Sequence, residues 1–438
     1  MRLSACGQSR VPAATWKAGV LRVSRRQVVE SAARRFTDPV AVLVHSLLVL
    51  SSMTQYAVLP LLPILQHDFG ISAATLSWLL ALPSLTMIVA SVPAGWLCDR
   101  LGARDLTFAA ASVLTLSCVL QALPGLVPFV LGRFAFGLAT TAIWTSGPAW
   151  LSDSRQGSSG RVGAIVTSAA AGSIAGPLVA GTLADRFGLG LPFAFLAGTS
   201  ACLALPLALT GRRPALSRRT TMRWTTVTRQ VARSSELRAA LAAMVAVGAV
   251  SGAIQLLVPL QLYRAGQSAT GIGLAFSASG LVYVAASACA ARARAATVTA
   301  TAAVAGCLVM GVATAPAAFT DSSVVLVTCL LAITLPRAQL NTVSYRLAAA
   351  SETAHSGNLG LVVGLLNLVW AISMSSGPIA AAWLSSALGP EPAFLSTALW
   401  AGGVGIVLAG LLRHRRRHPL AVHTGVPAMT GTGPEWQP

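Results

Sequence analysis

The chain has 438 residues, 55% of them hydrophobic and 10% charged, with a formal net charge of +19 and a mean hydropathy of +0.71. A soluble domain carries about a quarter of its residues as charges, so a water-soluble fold is excluded and a bilayer is the solvent that permits the deficit. The positive charge lies between apolar blocks and at the ends without aromatic interleaving, which speaks against a nucleic-acid groove and for loops sorted by the positive-inside rule.

In chain order, residues 1–38 form a basic tail holding Arg2, Arg10, Lys17, Arg22, Arg25, Arg26, Arg34 and Arg35. It has no apolar stretch ending in a cleavage site, so it reads as part of the mature protein. Apolar spans are predicted at 39–65, 73–97, 106–124, 127–150, 162–183 and 190–210. A basic linker follows at 211–236, carrying Arg212, Arg213, Arg218, Arg219, Arg223, Arg229 and Arg233. Six more spans are predicted at 237–262, 270–291, 296–315, 323–345, 357–384 and 391–412, with a tail at 413–438. The basic clusters place both termini and the linker on the cytoplasmic side, which requires an even number of spans. The expected fold is therefore an all-α membrane protein of 12 transmembrane helices, in an N-terminal half at 39–210 and a C-terminal half at 237–412.

Four features of the first half carry chemistry. Span 1 offers His45, which titrates in the physiological range and either carries a proton or bonds a neighbouring helix. Between spans 2 and 3 stands Gly95-Trp-Leu-Cys-Asp99-Arg100-Leu-Gly102-Ala-Arg104, a tight turn whose acid can accept hydrogen bonds from a helix N-terminus or pair with an arginine. Span 4 carries Arg133, about 9 Å inside the outer edge at about 1.5 Å per residue. A charge there faces a cavity or partner, or snorkels to the interface. Span 5 holds Gly163, Gly172, Gly176-Pro177 and Gly181, notches for a closely packed helix with one backbone donor removed, followed by Asp185.

The glycine ladder of span 5 resembles the fifth-helix signature of antiporters in the major facilitator superfamily, and the Gly95–Arg104 loop resembles that superfamily's best-known loop. The resemblance covers about residues 39–412 and points to the 12-helix drug:proton antiporter group. It implies the major facilitator fold, with Gly95, Asp99, Arg100, Gly102 and Arg104 latching helix 2 to helix 11 in the outward-open state. It further implies gating at the span 5 ladder, proton coupling through Arg133, and efflux rather than uptake. The family has a further basic residue where Asp105 stands, so the positive cluster here is weaker.

The second half echoes the first. Gly364 to Pro378 repeats the 14-position spacing of Gly163 to Pro177, and Gly377-Pro378 repeats Gly176-Pro177. Arg337, Asn341 and Tyr345 are four apart in span 10 and share a face. In the family, helices 1, 4, 7 and 10 surround the cavity, which makes Gln55, Tyr56, Trp144, Gln255, Arg337, Asn341, Asn367 and Trp370 cavity candidates. None of the 12 acids falls at the middle of a span, which argues against a dedicated exporter of dications. Coupling candidates reduce to Arg133, His45 and Asp185, with Asp99 as the latch.

The seven cysteines are scattered without metal or redox spacing, and no phosphate-binding Gly-x-x-x-x-Gly-Lys-Ser/Thr occurs. No cofactor and no metal are expected. The expected partners are a small-molecule substrate, protons or Na+ as coupling ion, and the lipid bilayer of a bacterial inner membrane, with the chain a monomer. The rival readings are an uptake symporter or facilitator of the same fold and, from another class, a membrane enzyme or sensor. An enzyme would need a cluster of catalytic side chains, and none is visible in the sequence.

Overall fold

The computed structural model describes residues 39–153, 161–209, 234–294, 297–351 and 359–417. The N-terminal tail, most of the linker, Cys6 and residues 418–438 lie outside the described residues. What is described is helical, with no strand.

Twelve helical elements follow one another: α1 (Pro39–Asp68), α2 (Ala73–Leu101), α3 (Ala103–Ala122), α4 (Leu126–Asp153), α5 (Arg161–Phe187) and α6 (Gly190–Leu209), then α7 (Ser235–Arg264), α8 (Ala269–Arg292), α9 (Ala300–Phe319), α10 (Ser323–Ala349), α11 (Leu359–Leu388) and α12 (Pro390–Arg417). Among the described residues ten of them are long and apolar enough to cross a bilayer; α5 and α6 fall outside that set, the apolar stretch of α6, Gly190–Pro206, being shorter. Large apolar side chains stand exposed along them, among them Val89, Val92, Val312 and Leu399. In water these would be sticky patches; against lipid tails they are the normal outer surface.

The starts of four helices are written in short polar side chains. Ser72, Ser234, Ser268 and Thr299 each accept a hydrogen bond from the backbone N–H three residues on, at 3.2, 3.1, 3.3 and 3.1 Å. The cap at Ser234 starts α7 two residues before the predicted 237, inside the expected linker. At the other end α12 runs to Arg417, five residues past the predicted 412. Its last residues are ones that the sequence pattern assigned to the tail. Predicted span 9 began at 296, whereas α9 starts at Ala300 and tightens into a 3-10 turn at Ala315–Phe319, where Pro316 sits in the first turn. α1 breaks at Leu59–Leu61, where the Leu-Pro-Leu-Leu-Pro run interrupts regular hydrogen bonding between Ala57 and Leu62.

Glycines set the closest helix contacts, and they do so in the same way in both halves. A side chain at Gly176 of α5 would stand 2.6 Å from the Met53 carbonyl of α1, and one at Gly172 would collide with the Val49 carbonyl. In the second half a side chain at Gly377 of α11 would collide with the Ala249 carbonyl of α7, and Gly252 of α7 faces Met374 and Pro378. The two Gly-Pro pairs thus seat α5 on α1 and α11 on α7, the arrangement of a duplicated six-helix unit.

The halves meet through α5 with α8, α2 with α11, and the outer part of α1 with α7 and α8. These contacts close the bundle at the end where α5 finishes and α8 begins. There a side chain at Gly181 would strike the Ala269 carbonyl, one at Gly273 would strike the Pro177 carbonyl, and Ser277 Oγ donates to the Ile174 carbonyl at 2.6 Å. The opposite end differs. Ser91, Val92, Pro93, Trp96, Asp99 and Arg100 of α2 are exposed, and added side chains at Gly95 of α2 or Gly364 of α11 would meet nothing within 4 Å.

Candidate substrate site and gating latches

The Asp99 loop and the end of α5 have the same construction. The segment Gly95-Trp-Leu-Cys-Asp-Arg-Leu-Gly102 and the segment Gly181-Thr-Leu-Ala-Asp-Arg-Phe-Gly188 both read Gly-x-Leu-x-Asp-Arg-x-Gly. Both finish a long helix on a glycine in the left-handed region, Gly102 at φ 89° and Gly188 at φ 82°. In both, that glycine's N–H closes the helix on the carbonyl four residues back, at 3.0 Å to Cys98 and 2.9 Å to Ala184. α2 and α5 are three helices apart, so the copies stand at opposite ends of the bundle. A diluted copy ends α11, where Ala382-Trp-Leu-Ser-Ser-Ala-Leu-Gly389 keeps the frame and loses the Asp-Arg pair.

The two acids are in different situations. Asp185 spans the halves, its Oδ1 accepting from the Ala269 N–H at 3.1 Å and its Oδ2 from the Thr270 N–H at 2.8 Å, at the N-terminus of α8. The free donors and positive dipole of a helix start make this a natural carboxylate seat. Asp99 is exposed and, among the described residues, makes no hydrogen bond or ion pair. Arg100 of the same loop lies over the Trp96 ring at 5.1 Å, and Arg104 pairs with Asp105 at 2.6 Å. The acid at position 105 thus takes up a charge that the loop would otherwise present.

Asp185 stands beyond the apolar part of α5. Its partial burial pushes the carboxyl up, but hydrogen bonds from Thr270, Ser268 and Ala269 outweigh this and hold it below the usual carboxylate value. The sign follows: the cap exists in full above the ordinary carboxylate range and is lost as pH falls through the lowered value. Asp185→Asn keeps the shape but not the charge. It removes the charge and one of the two acceptor oxygens and should loosen this end by about 0.3–1 kcal/mol, the scale of a charge at an exposed helix terminus. Faster labelling of a cysteine placed at Ala269, relative to the parent carrying the same cysteine, is the expected outcome; equal labelling rates would show that the cap does not hold the end shut.

Arg133 does not snorkel. It is fully buried, donates from Nε to the Leu79 carbonyl of α2 at 3.1 Å and lies 5.4 Å from the Phe136 ring centroid. Both terminal nitrogens are buried without a partner among the described residues. His45 faces Ser168 of α5, Nδ1 to Oγ at 2.9 Å, so its ring sits in the α1–α5 contact. Ser51 and Thr140 join α1 to α4 by a hydroxyl pair at 2.8 Å.

Of the cavity candidates, the structure brings together Tyr56, Arg337, Asn341 and Asn367. Arg337 lies 5.5 Å from the Tyr283 ring centroid, and Asn341 Nδ2 donates to the Tyr283 hydroxyl. Tyr56 of α1 is within electrostatic range of both Arg337 and Tyr283. One turn on, the Tyr345 hydroxyl donates to Asn367 Oδ1 of α11 at 2.6 Å. Gln55, Trp144, Gln255 and Trp370 make no hydrogen bond to this group among the described residues; Gln255 is buried in α7, and the backbone of Trp370 lies against Gly248. Tyr283 is the residue that sequence reasoning missed. Its only signal was an aromatic hydroxyl in an apolar span, in a chain with four tyrosines. Among the described residues no group of three or more His, Cys, Asp or Glu side chains is placed to hold a metal, and no disulfide joins the six described cysteines.

The model of the Major Facilitator Superfamily matches residues 44–345 of this chain. The chain belongs to the major facilitator superfamily. As a member it is a multi-pass membrane protein with the transporter fold of that superfamily. Among curated proteins it is similar to two described as MFS-type transporter ppzB. It is 32% identical to that of Metarhizium rileyi (strain RCEF 4871) over 27% of this chain and 25% of that one. To that of Metarhizium majus (strain ARSEF 297) it is 32% identical over 35% of each. The chain thus matches only a quarter to a third of the length of these relatives. Among solved structures, a bacterial homologue of the human lysosomal transporter Spinster superposes with a TM-score of 0.70 at 14% identity, over 84% of this chain and 96% of that one. A D-xylose–proton symporter superposes with a TM-score of 0.64 at 14% identity, over 84% and 96%. At such identities the likeness is one of fold.

Proposed function

We propose that this major facilitator protein exports small lipophilic compounds in exchange for protons by alternating access. The observation that carries the reading is the pair of Gly-x-Leu-x-Asp-Arg-x-Gly helix ends at opposite faces of the bundle, one engaged through Asp185 and the other, through Asp99, released. In this reading, sealing one face and freeing the other are two positions of one rocking motion. The positive-inside rule assigns both termini and the linker 211–236 to the cytoplasmic side, which would make the Asp185 end the outer face and the conformation inward-facing. The Spinster homologue, whose structure is inward-facing and occupied, supports that assignment. The swing outward would break the Asp185 cap and seat Asp99 on the start of α11, with α5 pivoting at Gly176-Pro177 on α1. Export rather than uptake rests on the resemblance of the α5 ladder to antiporters. Arg133 sits between α2 and α4, where the proton-linked step would be felt, and His45 stands in the α1–α5 contact that the ladder controls.

The test is proton flux in inside-out vesicles with a pH-gradient dye and a panel of lipophilic compounds. A compound that collapses the gradient with wild type and not with Asp99→Asn is the expected result. Accumulation driven in the opposite direction would replace export with uptake, and transport by Asp99→Asn at the wild-type rate would remove the latch.

A further inference from the structure

We infer that the cluster where α1, α8, α10 and α11 meet is a binding site for an organic anion, one carrying a single anionic group and a hydrogen-bond donor on an aromatic body. The inference rests on the transport reading and deepens it by naming the chemistry of the substrate.

The argument is one of unbalanced charge. Arg337 lies near the middle of α10, Ser323–Ala349, where a cation in the bilayer faces a partner or an aqueous cavity. Every described acid stands at or near a helix end or in a loop: Asp68, Asp99, Asp105, Asp153, Asp185, Glu236, Asp321 and Glu391. Among the described residues Arg337 therefore has no ion pair, and its guanidinium donates no hydrogen bond, while its Nε is sealed from solvent without an acceptor. A buried donor on a permanent charge left unmade costs more than the bond would contribute, so an acceptor must arrive from outside the chain. A carboxylate or its equivalent satisfies both the charge and the donor.

Two further features define the rest of the ligand. Asn341, one turn along the same face, gives its amide N–H to Tyr283 and holds its Oδ1 buried and unpaired. That oxygen asks for an N–H or O–H on the ligand. The Tyr283 ring lies against the guanidinium at 5.5 Å and Tyr56 stands within electrostatic range of both, and aromatic side chains of this kind suit a flat apolar body. Tyr283 acts as a positioning residue, holding Arg337 by its ring and Asn341 by its hydroxyl.

The test uses full-length protein purified in detergent and measures binding by calorimetry, without any gradient, for 6-hydroxy-2-naphthoate, its neutral analogue 6-hydroxy-2-naphthamide, and acetate. The naphthoate is expected to bind wild type about tenfold or more tighter than the amide, the scale of a charge-assisted bond. Acetate at the same concentration should not displace it. Arg337→Gln should abolish the preference, and Arg337→Lys should keep part of it, which separates lost charge from lost fold. Naphthoate that binds wild type no better than the amide, or not at all, overturns the inference, as does an undiminished preference in Arg337→Gln. Displacement by acetate would show a site for small anions with no place for an aromatic body, and overturns it too. Because no flux is measured, these results stand apart from the export reading: compounds can be exported while the anion preference fails, and the preference can hold while export fails.

Discussion

Gly172→Leu is expected to yield little or no folded protein, and Gly172→Ala a protein that melts clearly below wild type. A side chain at this position would collide with the Val49 carbonyl and stand 2.7 Å from Ser52 Cβ, with the Met53 amide nitrogen at 3.0 Å. Two of those three neighbours are backbone and cannot rotate away, so α5 must move off α1. Overpacking of a close contact costs about 1–3 kcal/mol for small insertions, and a leucine adds three more carbons in a place that already refuses the first. The same shift would pull Gly176 away from Met53 and separate His45 from Ser168, since all three contacts lie on one α1–α5 seam. Gly364→Ala is the control: it is the same change in a span helix, at a site with nothing within 4 Å, and should be neutral or stabilising by up to about 1 kcal/mol through helix propensity. Melting of detergent-purified proteins, with size-exclusion profiles, reads both. A Gly172→Leu protein that elutes as one species and melts like wild type would mean that the ladder is not the seam.

That seam was legible in the sequence because glycine there has one purpose. In a helix interior it costs stability relative to alanine, so four of them in one apolar span declare a close approach through residue type and spacing alone. Span positions were legible for a similar reason: apolar runs of the length of a bilayer, broken by arginines, leave little freedom. What was not legible was the rotation of each helix. A soluble helix shows its buried stripe by contrast with its polar face; here both lipid and bundle interior are apolar, and the contrast vanishes. Hence the eight cavity candidates fall in different places, with Tyr56, Arg337, Asn341 and Asn367 gathered around an unforeseen Tyr283 and Gln255 buried in α7. Asp185 was read as a coupling candidate, and its bond to the start of α8 was missed, although the repeat of Gly-x-Leu-x-Asp-Arg-x-Gly was there to be found by comparing the chain with itself. Arg133 was legible as a costly charge, but nothing in the sequence chose between a snorkelling and a buried side chain.

For Arg133 the expected result separates stability from function. Arg133→Met should melt close to wild type, and transport should fall at least about tenfold. The guanidinium is 0% exposed, with one hydrogen bond to the Leu79 carbonyl and two terminal nitrogens unpaired. Leu79 lies four residues before Pro83, which has no N–H to give, so its carbonyl has no partner in the helical ladder and loses its hydrogen bond when the arginine leaves, at a cost of about 1–3 kcal/mol. Replacing a buried charge by an apolar side chain of similar length is often neutral or stabilising by about 1–4 kcal/mol, and methionine is flexible enough to fill the irregular space beside Phe136. The two effects offset, so stability alone gives little reason for a full charge here. On the proposed transport reading, the two unpaired terminal nitrogens of this intramembrane charge await an acceptor that comes with a proton, a substrate or the other conformation. Arg133→Lys tests the geometry, because a lysine supplies charge but neither the fork nor the stacking plane; it should melt at or below wild type and transport poorly. Melting curves and vesicle flux on the same preparations decide the matter. A methionine variant that melts lower yet transports normally would make Arg133 a structural strut between α4 and α2 and nothing more.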